Sequence, residues 1–521
     1  MSVWVAVSLL VLGLLLARAQ GAPREETFAG AVLEVSPVGD PWANSPTENF
    51  LSNLQGIRSL VRNASIQHDI VVLPELVLYY AGLEGATVKG KSFLRDYAVA
   101  LPPIRSPEDG EASNLCLHPL PPEHQNARFL TELSCAAREF GAYLVANVVD
   151  LVVGDGDYKL FNTDVVFDRS GNLVAKYWKW HTFGLEGLID QPRGRERAAV
   201  KFETDFGVTV GLAICFDIEF ENPAQDLIDA GVRHFAFSSA WLNNPPYGFA
   251  TEIQQGWSLA AQSVLLAANI GTDPSRSGSG IYVQGKAVVT DFDVHASHID
   301  RVLSSSTIPK RIIAQGHPLP AHEDEGIQRL PQQGAEVCTI EFLPGLTLDS
   351  NCVKIANKTK EDGPASYLVG DGDLKCEFLL ESFEQAIHPG AKGGVPVAVA
   401  FSENVTFPKT VDSVQYQACL LFLCSGFPEC TSLHYSALGR VGHAQINASL
   451  RGGSRRIIPL LSGVDASGSR VVAREAGAYH AHYAKETDRS SVVMRNAVGD
   501  TDDMLTLNFG MVSLSVSDGS S

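Results

Sequence analysis

Val208-Thr-Val-Gly-Leu-Ala-Ile-Cys215-Phe-Asp-Ile-Glu-Phe-Glu-Asn-Pro223 is the stretch from which this chain is best read. Val208 to Cys215 has the text of a buried strand. Asn222 is an N-cap type, Pro223 suits the first helical position and Gly231 sits where a C-terminal cap belongs, so a helix is expected directly after the strand. Cys215 then falls on a sharp turn at the C-terminal end of a strand, where open α/β sheets place their ligands. A nucleophile at such an elbow can present its side chain while neighbouring backbone N–H groups face a developing oxyanion. A lone thiol in an apolar strand is more commonly core filler, so the surrounding sequence has to decide.

Two further strand ends carry titratable groups. Asp69-Ile-Val-Val-Leu-Pro-Glu75 delivers a carboxylate to the end of a short buried strand, with Pro74 stopping the pairing. Leu173-Val-Ala-Lys-Tyr-Trp-Lys179-Trp-His-Thr-Phe-Gly-Leu-Glu186 ends in aromatic residues around one ammonium. Each alone reads just as well as a solvated surface residue. Strand-like runs also occur at Tyr143 to Val149, Val165 to Asp168 and Phe235 to Ser238, with a hairpin turn at Arg169-Ser-Gly-Asn172. Apolar residues at three- and four-residue spacing predict helices at Phe129 to Phe140 and Thr251 to Leu266. Short β-branched runs alternating with helices predict an α/β unit over residues 26–310.

Past that point the composition changes. Residues 311–331 are rich in Pro and Gly, and six of the nine cysteines follow between Cys338 and Cys430. Residues 332–521 show strand-like text at Val397 to Phe401, Ala418 to Leu423 and Leu505 to Val516, so a linker and a smaller β-rich, disulfide-stapled domain are expected. With 521 residues, 45% hydrophobic and 19% charged, the chain is globular and long enough for two domains. Its net charge of −19 opposes binding to nucleic acid or to anionic membrane surfaces.

The apolar run Val3 to Ala17 followed by Ala17-Arg-Ala19 predicts a signal peptide over residues 1–19, and hence a secreted, extracellular protein. No apolar C-terminal tail suggests a lipid anchor, so no stable membrane anchor is expected. Sequons at Asn63, Asn357, Asn404 and Asn447 agree with that route. Nine cysteines in an oxidising compartment leave at least one thiol unpaired. His480 and His482 share a strand face but no further ligand is evident, so no metal site is expected.

Glu75, Lys179 and Cys215, in that chain order, resemble the catalytic glutamate, lysine and cysteine of the nitrilase superfamily. Leu160-Phe-Asn-Thr-Asp-Val-Val-Phe-Asp168, Cys215-Phe-Asp-Ile-Glu-Phe220, Ser239-Ala-Trp241 with Asn243, and Ser277-Gly-Ser-Gly-Ile281 are similar to the branch of that superfamily holding vanins and biotinidase. The resemblance is dense from Phe28 to about Tyr282 and thinner beyond. It implies an α/β fold with an αββα sandwich catalytic domain followed by the β-rich domain. It also implies a secreted amidohydrolase: Glu75 as proton acceptor, Cys215 as nucleophile, Lys179 with the Phe216 backbone N–H at the oxyanion, and Glu186 in support. Phe216, Trp241, Asn243 and Tyr247 would contact substrate, and no metal or cofactor is required. With Cys215 as nucleophile, eight cysteines remain for disulfides: Cys116 with Cys135, and Cys338, Cys352, Cys376, Cys419, Cys424 and Cys430 in unassigned pairs. Three functions stay open: hydrolysis of pantetheine, which the resemblance favours, hydrolysis of biotin amides, and a non-catalytic binding role, which the presence of all three residues disfavours.

Overall fold

The computed structural model describes residues 26–313, apart from 105–112, 155, 184–186, 244–247, 294 and 296–297. It also describes residues 336–516, apart from 344–345, 358–364, 381, 386–393, 407–412, 425, 431–438, 442–443, 452–457, 466–470, 474–478, 487–488 and 497–503. The expected signal peptide, most of the linker, Glu186 and Tyr247 lie outside these residues.

Twelve strands form one sheet that folds into two facing layers. Strand β1 (Thr27–Val35) pairs in parallel with β2 (Ile70–Val72), which pairs in parallel with β3 (Tyr143–Val153). Antiparallel β4 (Tyr158–Phe167) and β5 (Leu173–Trp178) complete this layer. The other layer runs from β6 (Lys201–Glu203) through β7 (Thr209–Ile214) and β8 (His234–Ser239) to β9 (Val264–Ile270), which meets the end of β1. Strands β10 (Ser279–Val283), β11 (Lys286–Asp291) and β12 (Asp300–Pro309) flank the junction, with β12 antiparallel to β1.

The two-residue alternation of a strand explains the layering. Leu33, Val71, Leu73, Leu144 and Ala146 pack against Phe50, Leu54 and Ile57 of helix α1 (Pro46–Arg62) and Phe129, Leu130 and Leu133 of α2 (Ala127–Phe140). Val32, Ile70, Val72 and Val145 belong instead to the core shared with Val210, Leu212, Phe235 and Phe237. The other layer carries α3 (Ala224–Asp229) and α4 (Ala250–Ala260). The result is the expected αββα sandwich. Local signals agree with the helix ends: Ser45 and Glu48 form a capping box before α1, and Gly141 closes α2 at φ +61°.

Two expectations are corrected. The helix predicted from Thr251 to Leu266 is α4, ending at Ala260, and strand β9. Every residue of β9 is buried because β9 lies in the middle of the sandwich, and a continuous apolar run lacks the alternation that marks a strand. Gln262, at φ +48°, turns the chain between the two. The expected helix is present as α3, which begins at Ala224, one residue after Pro223, and ends before Gly231 at φ +88°, but Asn222 does not cap it through its side chain, and a 3₁₀ turn, Cys215–Glu219, stands between it and β7. Asn222 serves through its carbonyl, 3.0 Å from the His181 ring Nε2.

The C-terminal region consists of strands in a ten-stranded and a five-stranded sheet. Val395–Thr406, Ser413–Cys424 and Met504–Val516 lie within the larger one. Cys376 on Leu374–Leu380 of the smaller sheet is disulfide-bonded to Cys419 on the larger, and Cys338 to Cys352 across the hairpin Glu336–Leu343/Leu346–Lys354. Cys424 is also disulfide-bonded, and Cys116 pairs with Cys135 as expected.

Candidate active site

Strand β7 ends against a carboxylate three residues ahead. Asp217 Oδ2 accepts from the Ile214 N–H at 3.1 Å and from the Tyr177 hydroxyl of β5 at 2.7 Å, while its Oδ1 accepts from the His181 N–H at 2.9 Å. This bend places Cys215 at φ +45°, a conformation that costs a residue with a Cβ about 1–3 kcal/mol and persists only where its surroundings enforce it. Burial pushes the Asp217 carboxyl up to about 7, opposed by the Tyr177 hydroxyl and Lys179. One side chain thus ties the turn bearing Cys215 to the strand leading into Lys179.

Glu75 follows β2 and Pro74, and its amide donates to the Ser239 carbonyl at the end of β8, bridging the layers. Its Oε1 accepts from Lys179 Nζ at 2.6 Å and Asn162 Nδ2 at 2.7 Å, and its Oε2 from the Ala240 N–H at 2.9 Å. Lys179 is fixed by its own N–H to the Asn162 carbonyl, 2.9 Å. Glu75 and Lys179 are each only 2% exposed. An ammonium sealed so deeply requires a partner, since removing one member of such a pair leaves a buried charge at several kcal/mol.

Cys215 lies in the same place. In the parallel register of β7 and β8, Ile214 stands opposite Ser238, so Cys215, the first residue past β7, comes beside Ser239, the last residue of β8. Burial and the Glu75 charge push the thiol well above its ordinary range, while Lys179, Ser239 and the Ala240 amide act to lower it. Among the described residues Cys215 is the one cysteine with a free thiol. Structure therefore gathers Glu75, Lys179 and Cys215 from three separate strand ends. Their arrangement offers a carboxylate to take a proton, an ammonium to meet negative charge, and a thiol to attack.

Other expected residues fall around this centre. Phe216 is buried and meets Phe183 edge-on at 5.0 Å between ring centres. The Trp241 amide donates to Asn269 Oδ1 at 2.8 Å. The Asn243 side chain is committed to backbone: it donates to the Pro274 and Ser277 carbonyls and accepts from the Ala250 N–H. It braces the loop preceding β10, whose Ser277 hydroxyl and Gly278 amide bind the buried Glu34 carboxylate at 2.6 and 3.1 Å.

Sequence reasoning gave no role to Asn147, Asn162, Asp164 or Asp217. Asn147 donates to Asn162 at 2.8 Å and to Asp164 at 2.9 Å, and accepts from the Leu76 N–H and the Tyr79 hydroxyl. Burial lifts the Asp164 carboxyl to about 8. The available signal was Asn162-Thr-Asp164, two strong polar groups on one face of an otherwise apolar strand, which a core rejects unless they are satisfied.

Comparison with known proteins agrees with this geometry. The carbon-nitrogen hydrolase family matches residues 33–275. Vanin-like protein 1 of Drosophila melanogaster is 32% identical over 454 residues, covering 81% of this chain and 73% of that protein. Biotinidase of Takifugu rubripes is 35% identical over 281 residues, covering 50% and 52%. Human pantetheinase is 36% identical over 191 residues, covering 32% and 36%. The alignments with the last two span about half or less of those relatives. From the Drosophila alignment, the family match and the residues at these strand ends, this chain belongs to the carbon-nitrogen hydrolase family, in the branch that holds the vanins and biotinidase.

Proposed function

We propose that this protein hydrolyses a linear carboxamide of a small vitamin-derived substrate, pantetheine to pantothenate and cysteamine, through a thioester on Cys215. The observation that carries the reading is the buried Glu75–Lys179 pair, 2.6 Å apart, beside a free thiol. At rest the thiol keeps its proton, because burial and the neighbouring carboxylate disfavour a thiolate. Glu75 accepts that proton as sulfur attacks the carbonyl carbon, and Lys179 with the Phe216 N–H meets the charge developing on oxygen. The amine departs with the proton from Glu75. Water, deprotonated by Glu75, then attacks the thioester and returns the thiol. Glu186 is assigned to support Lys179, and Tyr247 to contact substrate.

Pantetheine is the choice because an uncharged, hydroxylated chain would suit a pocket wall with a polar edge of the kind Trp241 can supply. The second reading, hydrolysis of biotin amides, is favoured by the biotinidase alignment, which covers more of this chain than that with human pantetheinase. Purified protein assayed with pantetheine and biocytin in parallel, with Cys215→Ala as blank, decides between them. A higher kcat/KM on biocytin would reverse the substrate while leaving the mechanism intact. We further read the protein as secreted and N-glycosylated; Asn63 and Asn357 are exposed, as acceptors must be, whereas Asn447 is half-buried in a strand with its side-chain amide donating to Glu377 at 3.0 Å, which does not suit an acceptor. Recovery from culture medium with a mass that falls on glycosidase treatment is the expected result.

A further inference from the structure

Around Cys215 the polar groups are unequally committed. Lys179 Nζ and the Ala240 N–H both donate to Glu75. Two charged groups flank the thiol from other elements, Glu75 after β2 and Lys179 after β5, and Asp217 lies on its own turn, hydrogen-bonded to Tyr177, Ile214 and His181. Ser239, beside Cys215 at the end of β8, differs from all of these. It is fully buried, and its Oγ makes no hydrogen bond to a protein nitrogen or oxygen; the group it faces is the Cys215 sulfur, whose charged form it favours. A buried hydroxyl left unsatisfied costs about 1–3 kcal/mol. Alanine there would avoid that cost, so the hydroxyl calls for a reason outside packing.

We propose that Ser239 is the donor reserved for the Cys215 thiolate, its hydroxyl donating to the sulfur once Glu75 has taken the proton. The assignment rests on the reading of Cys215 as the nucleophile. Strand register supports it, since Ile214 opposite Ser238 makes Cys215 and Ser239 neighbours. Strand alternation supports it again, since Ser238 and Ser239 point to opposite faces and only one can address the thiol. Electrostatics agrees in direction, because Ser239 favours the charged form of the sulfur. No atom is transferred to or from Ser239: the proton moves from Sγ to a Glu75 carboxylate oxygen, and the Ser239 O–H only donates a hydrogen bond. As sulfur bonds to the carbonyl carbon the charge moves to oxygen, and this donor loses its partner while Lys179 gains one. Ser239 therefore stabilises the thiolate that forms between proton transfer and attack.

The test uses the full-length protein and iodoacetamide, following the mass of the Cys215-containing peptide across pH. Alkylation reports the thiolate directly and needs no substrate. Ser239→Ala should alkylate about 10- to 100-fold more slowly below the inflection, with the inflection displaced upward by about 1–2 pH units, as expected for loss of a hydrogen bond to a charged group. Ser239→Thr, which keeps the hydroxyl, should stay within about threefold of wild type, and Ser239→Val, the same shape without a donor, should behave as alanine does. Wild-type alkylation by Ser239→Ala would overturn the proposal, as would equal slowing in Ser239→Thr and Ser239→Val. Should Ser239→Ala fail to fold, the Thr and Val pair decides alone. Retained turnover in Cys215→Ala would remove the hydrolytic mechanism without altering what the alkylation profile says of Ser239.

Discussion

The two halves of this molecule bury different things. Among the described residues of the sandwich, the interior contains Glu34, Glu75, Asp150, Asp164, Lys179, Asp217, Glu219 and Glu252, all at most 6% exposed. Among the described residues from 336 onward, the buried polar side chains are Ser350 and Gln417, and the rest of the interior is apolar or disulfide-bonded. A buried ionisable group costs several kcal/mol unless it is paired, so a domain that carries a cluster of them needs rigid strands to hold every partner in place. The described residues of the C-terminal sheets carry none of that load and are held by covalent staples instead. The contrast indicates where chemistry resides and where architecture does, and it can be tested by perturbing each half in turn.

The largest effect is expected at the nucleophile. Cys215→Ala should abolish amide turnover while circular dichroism and the thermal midpoint remain near wild type, since the turn is shaped by Asp217 and not by the thiol. Substantial residual turnover would move the chemistry elsewhere. Lys179→Ala comes next: loss of an oxyanion donor costs about 10²- to 10³-fold in kcat, with KM much less affected. Lys179→Arg should not restore the rate, because a planar guanidinium cannot occupy the place of a compact ammonium 2.6 Å from Glu75. Steady-state kinetics on the two variants checks both statements.

In the other half, replacing Cys376 and Cys419 by Ser should leave kcat unchanged at low temperature but lower stability. Opening a loop of 43 residues costs about 4 kcal/mol by chain entropy. Chemical denaturation should then show an earlier transition. A matching fall in kcat would mean that the C-terminal sheets shape the active site directly.

The smallest effect concerns the raised carboxyls. Asp164 at about 8 and Asp217 at about 7 hold their protons in the folded chain well above the ordinary 3.8. Folded protein therefore binds more protons than unfolded protein between those values, so their contribution is full below about pH 4 and is lost as pH rises through 7 to 8. Asp164→Asn, which mimics the neutral form, should flatten that decline, measured as the thermal midpoint from pH 5 to 9. A wild-type slope in Asp164→Asn would show that Asp164 ionises freely in the folded state.

Much of the site was legible because its three reacting residues sit at strand ends, and strand ends show in one dimension as an apolar run that stops at a charged group. Glu75, Lys179 and Cys215 each follow such a run. The odd cysteine count pointed the same way, and Cys215 is the free thiol among the described residues. Strand β9 was misread because burial on both faces erases alternation; the turn at Cys215 was legible, but the Asp217 contacts that shape it were not, because they come from Tyr177 and His181, distant in sequence. What the sequence by itself determined is the set of chemical groups, their order and the local turns that present them. Only the tertiary structure decided which of them meet: Asn162 reaches Glu75 across 87 residues, Lys179 across 104 and the Ala240 amide across 165. Such contacts arise because the packing of two sheet layers, and not any local pattern, brings distant strand ends into one dry space where each polar group must find a partner.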